Sequence, residues 1–416
     1  MKPTLFSLRD FMNREDCSLA ERVTLFKENF LDQFEDEKLM NAWTSSVGCV
    51  DTQMKIRDKY TNEERTVISF VSNNYLGYSK RKEVIDAGIE FIKSYGCGMG
   101  AAACIGGYAD IQHELEQKVA SFLHCEDAMV FSAGFNANCG PLLVMLRKCD
   151  IALVDMYAHS SVFEGLYNTN TKIIKHNDPE YLDKALTIME DKYKTKMVIV
   201  DGIYSQDGDV APLADLLKVC KKHGALLWVD DAHGIGVIGE NGRGAIEQCN
   251  VLGKVDFITG TLSKAMGSVG GFIAGSHLFI NYLRYHAKTS IFSAASTPQS
   301  LASAIKSLEL IQKEPELRKK IKDNAIYFRS RLIELGFDTG ISETQIVPVK
   351  IGDDLKTHRI ARAMMERGVY VAAITYPGVK MNDARLRFGI MATHTKEHLD
   401  MTINALLEVD KIFGIR

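Results

Sequence analysis

The feature of this sequence that most constrains its fold is an alternation of short apolar runs with helical stretches. Continuous apolar runs of this kind are typical of strands in a parallel sheet that is covered on both faces. The runs lie at Ala128–Phe131, Ile151–Val154, Met197–Val200, Leu226–Val229, Phe257–Thr259 and Phe272–Ala274. Helical stretches such as Leu213–His223 separate most of them. The alternation predicts an α/β fold with a mainly parallel sheet.

The two ends of the chain differ from this middle part. Residues 1 to about 60 are polar, and Ser18–Phe34 has the pattern of a weakly amphipathic helix. After about residue 300, two long helical stretches and a last helix enclose short strands near Ile346–Ile351, Val369–Ile374 and Arg385–Ile390. We therefore expect an N-terminal arm at 1–60, a large domain at 61–296 and a smaller α+β domain at 297–416.

The composition excludes several classes of function. The 416 residues include 50 Lys and Arg against 53 Asp and Glu, and this balance gives no basic surface for nucleic acid. No apolar run reaches the ~18 residues that a membrane-spanning helix needs, and acidic residues come too early for a signal peptide. The nine cysteines form no C-x-x-C pair, which argues against zinc sites and disulfides. We expect a cytoplasmic protein without a metal, for which contact with a membrane surface stays open.

A lysine stands among small hydroxyl residues where one predicted strand ends. Lys264 follows the strand Phe257–Thr259, and Thr261 and Ser263 precede it. A lysine at a rigid strand end suits a Schiff base with a carbonyl compound, which requires a fixed amine with a lowered pKa. The neighbouring hydroxyls suit a phosphate group. The alternative is an ordinary solvated lysine in a polar loop.

Two aspartates and a histidine follow another predicted strand, Leu226–Val229. Asp230, Asp231 and His233 would lie at the carboxyl edge of the sheet, where open α/β sheets bind ligands. A buried carboxylate there can keep a pyridine nitrogen protonated, as pyridoxal cofactors require. An N-cap at Asp231 is one alternative. A metal site is another, but no further cluster of ligands supports it.

Two more segments are candidates for binding a phosphorylated ring. Phe131–Asn138 has the pattern of a strand, a turn and a helix start, whose free N–H groups bind phosphate, although ordinary turns share the pattern. His159 follows the next strand, where it could stack on an aromatic ring or be merely structural. Gly96–Gly100 has glycines like those of a dinucleotide-binding loop. It follows a helical stretch instead of a strand, which argues against a nicotinamide-dependent dehydrogenase.

Read together, these segments resemble the α-oxoamine synthase family of fold-type I pyridoxal phosphate (PLP) enzymes. The resemblance covers roughly residues 65 to 410, and its motifs occur in the family's order. The motifs are Ser72–Gly77, Gly96–Gly107, Ser132–Phe135, His159, Asp201–Ser205, Asp230–His233 and Gly260–Lys264. The resemblance implies PLP as cofactor and an aspartate aminotransferase-like fold. In that fold a large domain with a mainly parallel sheet is joined to a smaller α+β C-terminal domain.

The resemblance assigns roles around the cofactor ring. Lys264 would hold PLP through a Schiff base and then transfer the proton of the substrate. Asp230 would pair with the pyridinium nitrogen, and His159 would stack on the ring. His233 and Ser205 would lie beside the phenolic oxygen.

The resemblance also assigns residues to the phosphate and to the substrate. The amides of Gly134 and Phe135 would hold the phosphate together with Thr261. Thr297 looks like a phosphate contact that one protomer supplies to its partner, which implies a homodimer with shared active sites.

The substrate contacts and the reaction follow from the same resemblance. Asn73 would line the substrate pocket, and Arg387 would bind the carboxylate of the amino acid, a role that a bidentate guanidinium suits. Arg385 is the neighbour that could be confused with it. The implied reaction is a decarboxylative Claisen condensation of an amino acid with an acyl thioester of coenzyme A or acyl carrier protein. The chain is therefore expected to be a PLP-dependent C-acyltransferase.

Individual stretches resemble different members of the family. Ser293–Glu316, Ser263–Gly271 and Met391–Thr395 look most like serine palmitoyltransferases. Gly239–Gly244 is similar to 2-amino-3-ketobutyrate coenzyme A ligase, which is a glycine C-acetyltransferase, and Ser205–Leu213 to 8-amino-7-oxononanoate synthase. We expect an enzyme that joins a long acyl chain to serine or to a serine-like amino acid such as cysteate, as in sphingoid-base or sulfonolipid synthesis. The other two activities are the alternatives.

The chain departs from the family's pattern at two places. Many relatives have Ser-Arg where this chain has Ala102 and Ala103, and a hydroxyl residue where it has Ala295. The missing arginine puts the usual choice of substrate in doubt. Rival classes are a non-catalytic partner subunit, which the presence of Lys264, Asp230 and His159 argues against, and a plain aminotransferase on the same fold.

Overall fold

The described part of the chain, Phe11 and residues 14–416 of a computed structural model, divides into two compact units. The large unit contains residues 73–205 and 209–320. The small unit contains the described residues up to Ser72, residues 206–208 and residues 321–416. This division does not follow the expected boundaries at residues 60 and 296. Those domain boundaries stay a prediction.

Strands and helices alternate along the described chain. The strands are β1 (Ser45–Ser46), β2 (Gln53–Arg57), β3 (Glu64–Ser69), β4 (Asp127–Phe131), β5 (Ile151–Asp155), β6 (Asn170–Ile174), β7 (Lys196–Asp201), β8 (Leu226–Asp230), β9 (Phe257–Thr261), β10 (Gly271–Gly275), β11 (Ile346–Gly352), β12 (Val369–Tyr370), β13 (Ala372–Ile374) and β14 (Ala384–Gly389). The α-helices are α1 (Leu19–Phe26), α2 (Asp32–Asp36), α3 (Lys82–Tyr95), α4 (Asp110–Phe122), α5 (Gly134–Met145), α6 (Ser160–Gly165), α7 (Pro179–Ile188), α8 (Leu213–Lys222), α9 (Ala245–Gln248), α10 (His277–His286), α11 (Lys288–Ile291), α12 (Pro298–Lys313), α13 (Pro315–Glu334), α14 (Asp354–Glu366) and α15 (Lys396–Phe413). A π-helical turn at Lys27–Leu31 joins α1 to α2, and 3-10 turns lie at Tyr78–Lys80 and Ala103–Ile105.

A seven-stranded sheet in the order β4-β10-β9-β8-β7-β5-β6 forms the centre of the large unit. The five strands β9, β8, β7, β5 and β6 run parallel to one another. All five residues of β5 and of β9 are buried, as are the last four of β8. Strands that are covered on both faces need apolar side chains throughout, which explains why their sequences have continuous apolar runs. The predicted α/β fold is confirmed.

The buried core beside this sheet contains side chains from the strands and from α5, the helix that follows β4. Leu142 of α5 packs in one buried cluster with Val154, Trp228 and Phe257 from three different strands. The rings of Trp228 and Phe257 lie 5.3 Å apart. Burying a large apolar side chain stabilises a fold by roughly 1.5–3 kcal/mol, so this cluster fixes the strand ends on which polar residues are carried.

The structure corrects three details of the predicted strands. β10 is antiparallel to both of its neighbours, because an apolar run specifies burial and carries no information about direction. The edge strand β6 was not predicted, since its burial alternates and it contains Asn, Thr and Lys. The predicted strand 369–374 is two strands, of which β12 pairs with β3 and β13 pairs with β14.

The small unit contains two further sheets, in the orders β1-β2-β3-β12 and β11-β14-β13. His394 connects segments of this unit. Its Nδ1 accepts a hydrogen bond from the Met391 N–H at 2.9 Å, and its Nε2 lies 3.1 Å from the Ser69 carbonyl oxygen. Its ring stacks on Phe70 with centroids 4.4 Å apart. These contacts hold the residues that follow β3 against those that follow β14.

The predicted helix at Ser18–Phe34 is confirmed, with a π-helical turn inside it. Ser18 caps α1 in a capping box with Glu21, which explains where the helix begins. Among the described residues no helix is long and apolar enough to cross a membrane. Within the same residues no group of His, Cys, Asp and Glu has the arrangement of a metal site.

Candidate active site

Three neighbouring strands of the large unit end in polar residues at one edge of the sheet. β7, β8 and β9 end at Asp201, Asp230 and Thr261. Asp201 and Asp230 are partners in the ladder, and Asp230 is in turn the partner of Thr259. Because the three strands are parallel, their carboxyl ends meet at the same edge, where α/β sheets bind ligands.

A cavity of about 190 Å³ opens at this edge. It brings together most of the residues predicted from the sequence, namely Gly134, Phe135, His159, Asp230, His233, Thr261 and Lys264. The residues that complete its wall are Asn138, Ser161, Asp201, Ala232, Gly260 and Ser263. Five separate motifs of the sequence therefore meet around one space, as the resemblance implies.

The first turn of α5 provides an anion site on the wall of the cavity. The N-cap residue, Ala133, makes no capping hydrogen bond with its side chain, so the first N–H groups of the helix are left for a ligand. A Cβ atom at Gly134 would lie 3.0 Å from Thr261 Oγ1, which is closer than ordinary packing allows. Thr261 Oγ1 donates to the Gly270 carbonyl at 3.0 Å and lies 2.7 Å from Ser263 Oγ. This arrangement fits a phosphate group.

The Asp230 carboxylate accepts hydrogen bonds at both oxygens. Oδ1 accepts from the Ala232 N–H at 3.0 Å, and Oδ2 accepts from the Asn138 side-chain amide at 2.6 Å. The side chain is buried, yet it faces the cavity. A buried carboxylate held in this way can pair with a protonated ring nitrogen.

His159 is the N-cap residue of α6 and lines the same cavity. Its Nδ1 accepts from the Ser161 N–H at 3.3 Å and lies 2.7 Å from Ser161 Oγ. Burial lowers the pKa of His159, the negative charge of Asp230 opposes this, and Lys264 adds to the lowering. The imidazole is therefore held in its neutral form, which suits a ring that stacks on an aromatic cofactor.

Asp201 is a second carboxyl group beside Asp230. Its Oδ1 accepts a hydrogen bond from the backbone N–H of His159 at 3.3 Å. Burial raises the pKa of Asp201 well above its usual range, and the charge of Asp230 raises it further. Two neighbouring carboxyl groups do not both ionise easily, so Asp201 is the one expected to carry a proton.

His233 lies on the loop after β8 and contacts an aromatic residue of the Ser72–Gly77 motif. Its Nδ1 is 2.7 Å from the Tyr75 hydroxyl, which donates to Asn73 Oδ1 at 3.1 Å. Since the hydroxyl hydrogen is used toward Asn73, the His233 Nδ1–H is the donor to the Tyr75 oxygen. Asn73 is therefore connected to the cavity through two side chains.

Backbone hydrogen bonds on both sides fix the segment that carries Lys264. The Leu262 N–H donates to the Gly270 carbonyl at 2.9 Å, and the Ser268 N–H donates to the Leu262 carbonyl at 2.8 Å. The Gly267 N–H donates to the carbonyl of Lys264 itself at 2.9 Å. A lysine that must form a Schiff base needs such a fixed backbone.

Besides Asn73, two predicted residues of the large unit are not on the cavity wall. Ser205 follows β7 by four residues, and Thr297 is the N-cap residue of α12, where its Oγ1 lies 2.8 Å from Ser300 Oγ. Their predicted roles beside the phenolic oxygen and at a partner's phosphate stay predictions.

The structure distinguishes the two candidate arginines of β14. Arg385 is fully buried and pairs with Asp207 at 2.5 Å and with Asp383, and it also donates to the Gln206 carbonyl. It is therefore committed to the small unit's own structure. Arg387, two residues further along the strand, stays the predicted carboxylate ligand.

Three polar residues of the cavity had no predicted role, namely Asn138, Ser161 and Asp201. Asn138 and Asp201 lie in or beside the quoted motifs, and Ser161 follows His159 by two residues. The available signal for Asn138 was its place in Phe131–Asn138, the segment with the pattern of a strand, a turn and a helix start. Its partners Asp230 and Thr259 lie on two strands that are distant in sequence, so only the fold reveals these contacts.

The residues of the cavity fit PLP. The anion site at α5 fits its phosphate, the Asp230 carboxylate fits its ring nitrogen, and Lys264 is an amine on the cavity wall that fits its aldehyde. His159 is a neutral aromatic ring beside the same space. The phosphate, the ring nitrogen and the aldehyde of the cofactor therefore each have a matching partner.

Comparisons with known proteins agree with this assignment. The profile of the family described as aminotransferase class I and II matches residues 65–406. The 8-amino-7-oxononanoate synthase of Alkaliphilus metalliredigens is 40% identical over 347 residues, which cover 83% of this chain and 88% of that protein. The serine palmitoyltransferase of Sphingobacterium spiritivorum is 34% identical over 395 residues, which cover 94% of this chain and 97% of that protein.

A solved structure of serine palmitoyltransferase from S. paucimobilis, with PLP bound, is similar over nearly the whole chain. Its TM-score is 0.89 at 29% sequence identity, and the match covers 96% of this chain and 100% of that chain. Both kinds of relative are α-oxoamine synthases that depend on PLP. The chain therefore belongs to the aminotransferase class I and II family and, within it, to the PLP-dependent α-oxoamine synthases.

Proposed function

We propose that this α-oxoamine synthase joins a serine-like amino acid, either serine or cysteate, to a long-chain acyl thioester. The product would be a long-chain α-oxoamine, formed with release of CO₂ and of the thiol. Such products are the starting point of sphingoid-base or sulfonolipid synthesis.

The observation that carries the proposal is the extent of the similarity to serine palmitoyltransferases. That similarity covers 94% of this chain in sequence and 96% in structure. Matches of this length include most of residues 1–60, the segment expected as an arm. The matches to two 8-amino-7-oxononanoate synthases cover 83% and 84% of the chain, although their identity is higher, at 40% and 41%.

The residues at the two departures from the family's pattern also support a long apolar acyl chain. Ala103 and Ala295 line one small cavity of about 10 Å³, and none of the described residues around it is charged. The Ala295 N–H donates to the carbonyl of Ala101 at 3.0 Å. A substrate carboxylate that pairs with the arginine of the relatives would therefore lack that partner in this chain, whereas an aliphatic chain needs no cation.

The residues of the cavity would divide the chemistry among them. PLP, when bound, supplies a protonated pyridine ring that withdraws electrons from the Cα atom of the amino acid. Asp230 would keep the proton on the ring nitrogen, and the Lys264 amine would take the proton from Cα. His159 would cover one face of the ring and exclude water there. Arg387 would bind the carboxylate of the amino acid before it is lost as CO₂.

We also propose that the enzyme is a homodimer in which Thr297 of each protomer contacts the partner's phosphate site. Large apolar side chains are exposed on neighbouring segments of the large unit, and these are Ile105, Tyr285 and Phe292, at 75%, 76% and 82%. Cys104 Sγ lies 3.8 Å from the Ile291 carbonyl oxygen, so the segments that carry two of them touch. Exposed apolar groups of this size usually mark an interface.

The first experiment identifies the two substrates with the holoenzyme. Serine, cysteate, alanine and glycine are each added while the absorbance of bound PLP is recorded, and product masses are then measured with palmitoyl coenzyme A. A saturable spectral change with serine or cysteate, followed by a long-chain α-oxoamine, is expected. A response to alanine or glycine alone would refute the long-chain proposal.

The identity of 40–41% favours 8-amino-7-oxononanoate synthase as a second candidate. The nine-carbon product named there contains the two carbons that alanine keeps after decarboxylation. Its acyl donor must therefore be a seven-carbon thioester that ends in a carboxylate. Product from alanine and this thioester, with none from palmitoyl coenzyme A, would support the second candidate over the first.

A pair of lysine variants tests the cofactor role within the same assay. We expect Lys264→Ala to remain folded and to form no product, because it lacks the amine that binds the cofactor and moves the proton. Lys254→Ala is the matched control, since Lys254 is exposed and donates a hydrogen bond to the Asn250 carbonyl at 2.9 Å. Normal product formation by Lys264→Ala would show that another residue acts as the base.

A further inference from the structure

A buried chain of hydrogen bonds connects Asp230 and His159, two of the residues predicted to contact the cofactor ring. It begins at Thr259 Oγ1, which donates to Asn138 Oδ1 at 2.7 Å. Asn138 Nδ2 donates to Asp230 Oδ2 at 2.6 Å and to Ser161 Oγ at 2.9 Å. Ser161 Oγ in turn lies 2.7 Å from His159 Nδ1. The three connecting side chains are at most 3% exposed.

The chemistry of the groups fixes the direction of each hydrogen bond. The Asn138 amide must turn its NH₂ group toward Asp230, because an amide oxygen would face a carboxylate oxygen and both are acceptors. The donation from Thr259 to the amide oxygen supports the same orientation. Since Nδ2 can only donate, Ser161 Oγ accepts from Asn138, and its own hydrogen is left for His159 Nδ1.

The backbone supplies independent evidence for the last step. The Ser161 N–H points at His159 Nδ1 from 3.3 Å, so this nitrogen faces two donors, a hydroxyl and an amide. A nitrogen that faces two donors has no proton of its own. The single proton of the neutral imidazole must then be on Nε2.

We propose that Thr259, Asn138 and Ser161 form a relay that fixes the neutral, Nε2-protonated tautomer of His159 and holds Asp230 as a hydrogen-bond acceptor. Asn138 is the branch point, because one amide group serves both residues. The three are positioning residues for the reaction of the α-oxoamine synthases. His159 can then donate a hydrogen bond from Nε2 to an oxygen of a bound molecule, and it cannot take up a proton at that atom.

The relay makes the tautomer of His159 depend on Thr259, although Asn138 and Ser161 lie between the two residues. Without the Thr259 hydroxyl the amide of Asn138 loses one of the two contacts that fix its orientation, and the flipped amide becomes less unfavourable. A flipped amide would place its oxygen toward Ser161, whose hydrogen would then point at Asn138 instead of His159. Nδ1 would lose a donor, and the tautomer with a proton on Nδ1 would become populated.

The test uses the holoenzyme with ¹⁵N-labelled histidine. Protonated and unprotonated ring nitrogens resonate in separate regions, and the His159→Asn variant identifies the signals of His159. In the wild type we expect Nδ1 to be unprotonated and Nε2 to be protonated. In Thr259→Val the ratio of the tautomers should shift about tenfold, as expected for the loss of one buried hydrogen bond, and Thr259→Ser should restore it.

The controls separate a relay from a merely structural role. Thr289→Val removes a comparable hydroxyl contact, to the Asn136 carbonyl at 3.1 Å, and should leave the tautomer of His159 unchanged. Ser161→Ala interrupts the last step and provides the same readout if Thr259→Val does not fold. A wild-type signal for a protonated Nδ1 would overturn the proposal, and so would an unchanged tautomer in both Thr259→Val and Ser161→Ala. Since no substrate is needed, the result does not depend on the proposed function.

Discussion

A half-buried histidine between two aspartates makes the stability of this protein sensitive to alkaline pH. His176 Nδ1 lies 2.9 Å from Asp155 Oδ1, and its Nε2 lies 2.9 Å from Asp209 Oδ2. Burial lowers the pKa of His176 and is the largest single influence. The hydrogen bonds and charges of the two carboxylates together outweigh it and raise the pKa to about 9.

The size of the effect follows from the difference between the folded and unfolded pKa values. A raised pKa means that the folded protein binds a proton which the unfolded chain releases near pH 6.5. The imidazolium therefore stabilises the fold by roughly 3 kcal/mol below pH 6.5, at about 1.4 kcal/mol for each unit of pKa. About 1.5 kcal/mol of this should be lost between pH 7.5 and pH 9.

Urea unfolding of the cofactor-free protein at several pH values measures this loss, with one protein concentration throughout. The His176→Gln variant should be less stable at pH 7.5, since it leaves two buried carboxylates without their cation, and its stability should fall less between pH 7.5 and 9. His286→Gln is the control, because His286 is exposed and contacts a backbone carbonyl of its own helix. Equal pH slopes for His176→Gln and the wild type would refute the reasoning.

Three further predictions concern the acid range, the phosphate site and the two arginines. Burial lowers the pKa of His394 to about 3, so its contribution is lost as pH falls below 6.5, and His394→Gln should reduce the acid slope of urea unfolding. Gly134→Ala should weaken PLP binding about tenfold in a fluorescence titration, because the new Cβ would press on Thr261. Arg385→Met should lower the free energy of unfolding by about 1.5–3 kcal/mol, because it removes the charged hydrogen bonds from a buried guanidinium to the half-buried carboxylates of Asp207 and Asp383. Arg387→Met should raise the KM for the amino acid, a change that Arg385→Met should not produce, and the reverse pattern would exchange the two roles.

Much of the large unit could be predicted from the sequence because its strands are covered on both faces. Continuous apolar runs located β5, β7, β8 and β9 to within two residues. The same rule failed at β6, where a half-exposed edge strand carries Asn170, Thr171 and Lys172. It also could not give the direction of β10, since burial is the same for parallel and antiparallel neighbours.

The candidate site could be predicted where a side chain follows directly from a strand end. Lys264, Asp230 and His159 each stand just after an apolar run, and the parallel sheet brings them to one edge. Asn138 could not be given a role in this way, because its three partners come from a helix and from two other strands. Its function depends on contacts between segments that are distant in sequence, and only the folded chain contains these.

The two departures from the family's pattern show how position in the fold changes the meaning of a substitution. In the sequence, Ala103 and Ala295 are two unrelated losses, one of an arginine and one of a hydroxyl. In the fold, both line the same small cavity, and the Ala295 N–H binds the carbonyl of Ala101. A cation and a hydrogen-bonding group are therefore missing from one place. The loss of the arginine removes a cation with which a substrate carboxylate could pair, and this adds to the case for an uncharged acyl chain that the extent of the similarity to serine palmitoyltransferases makes.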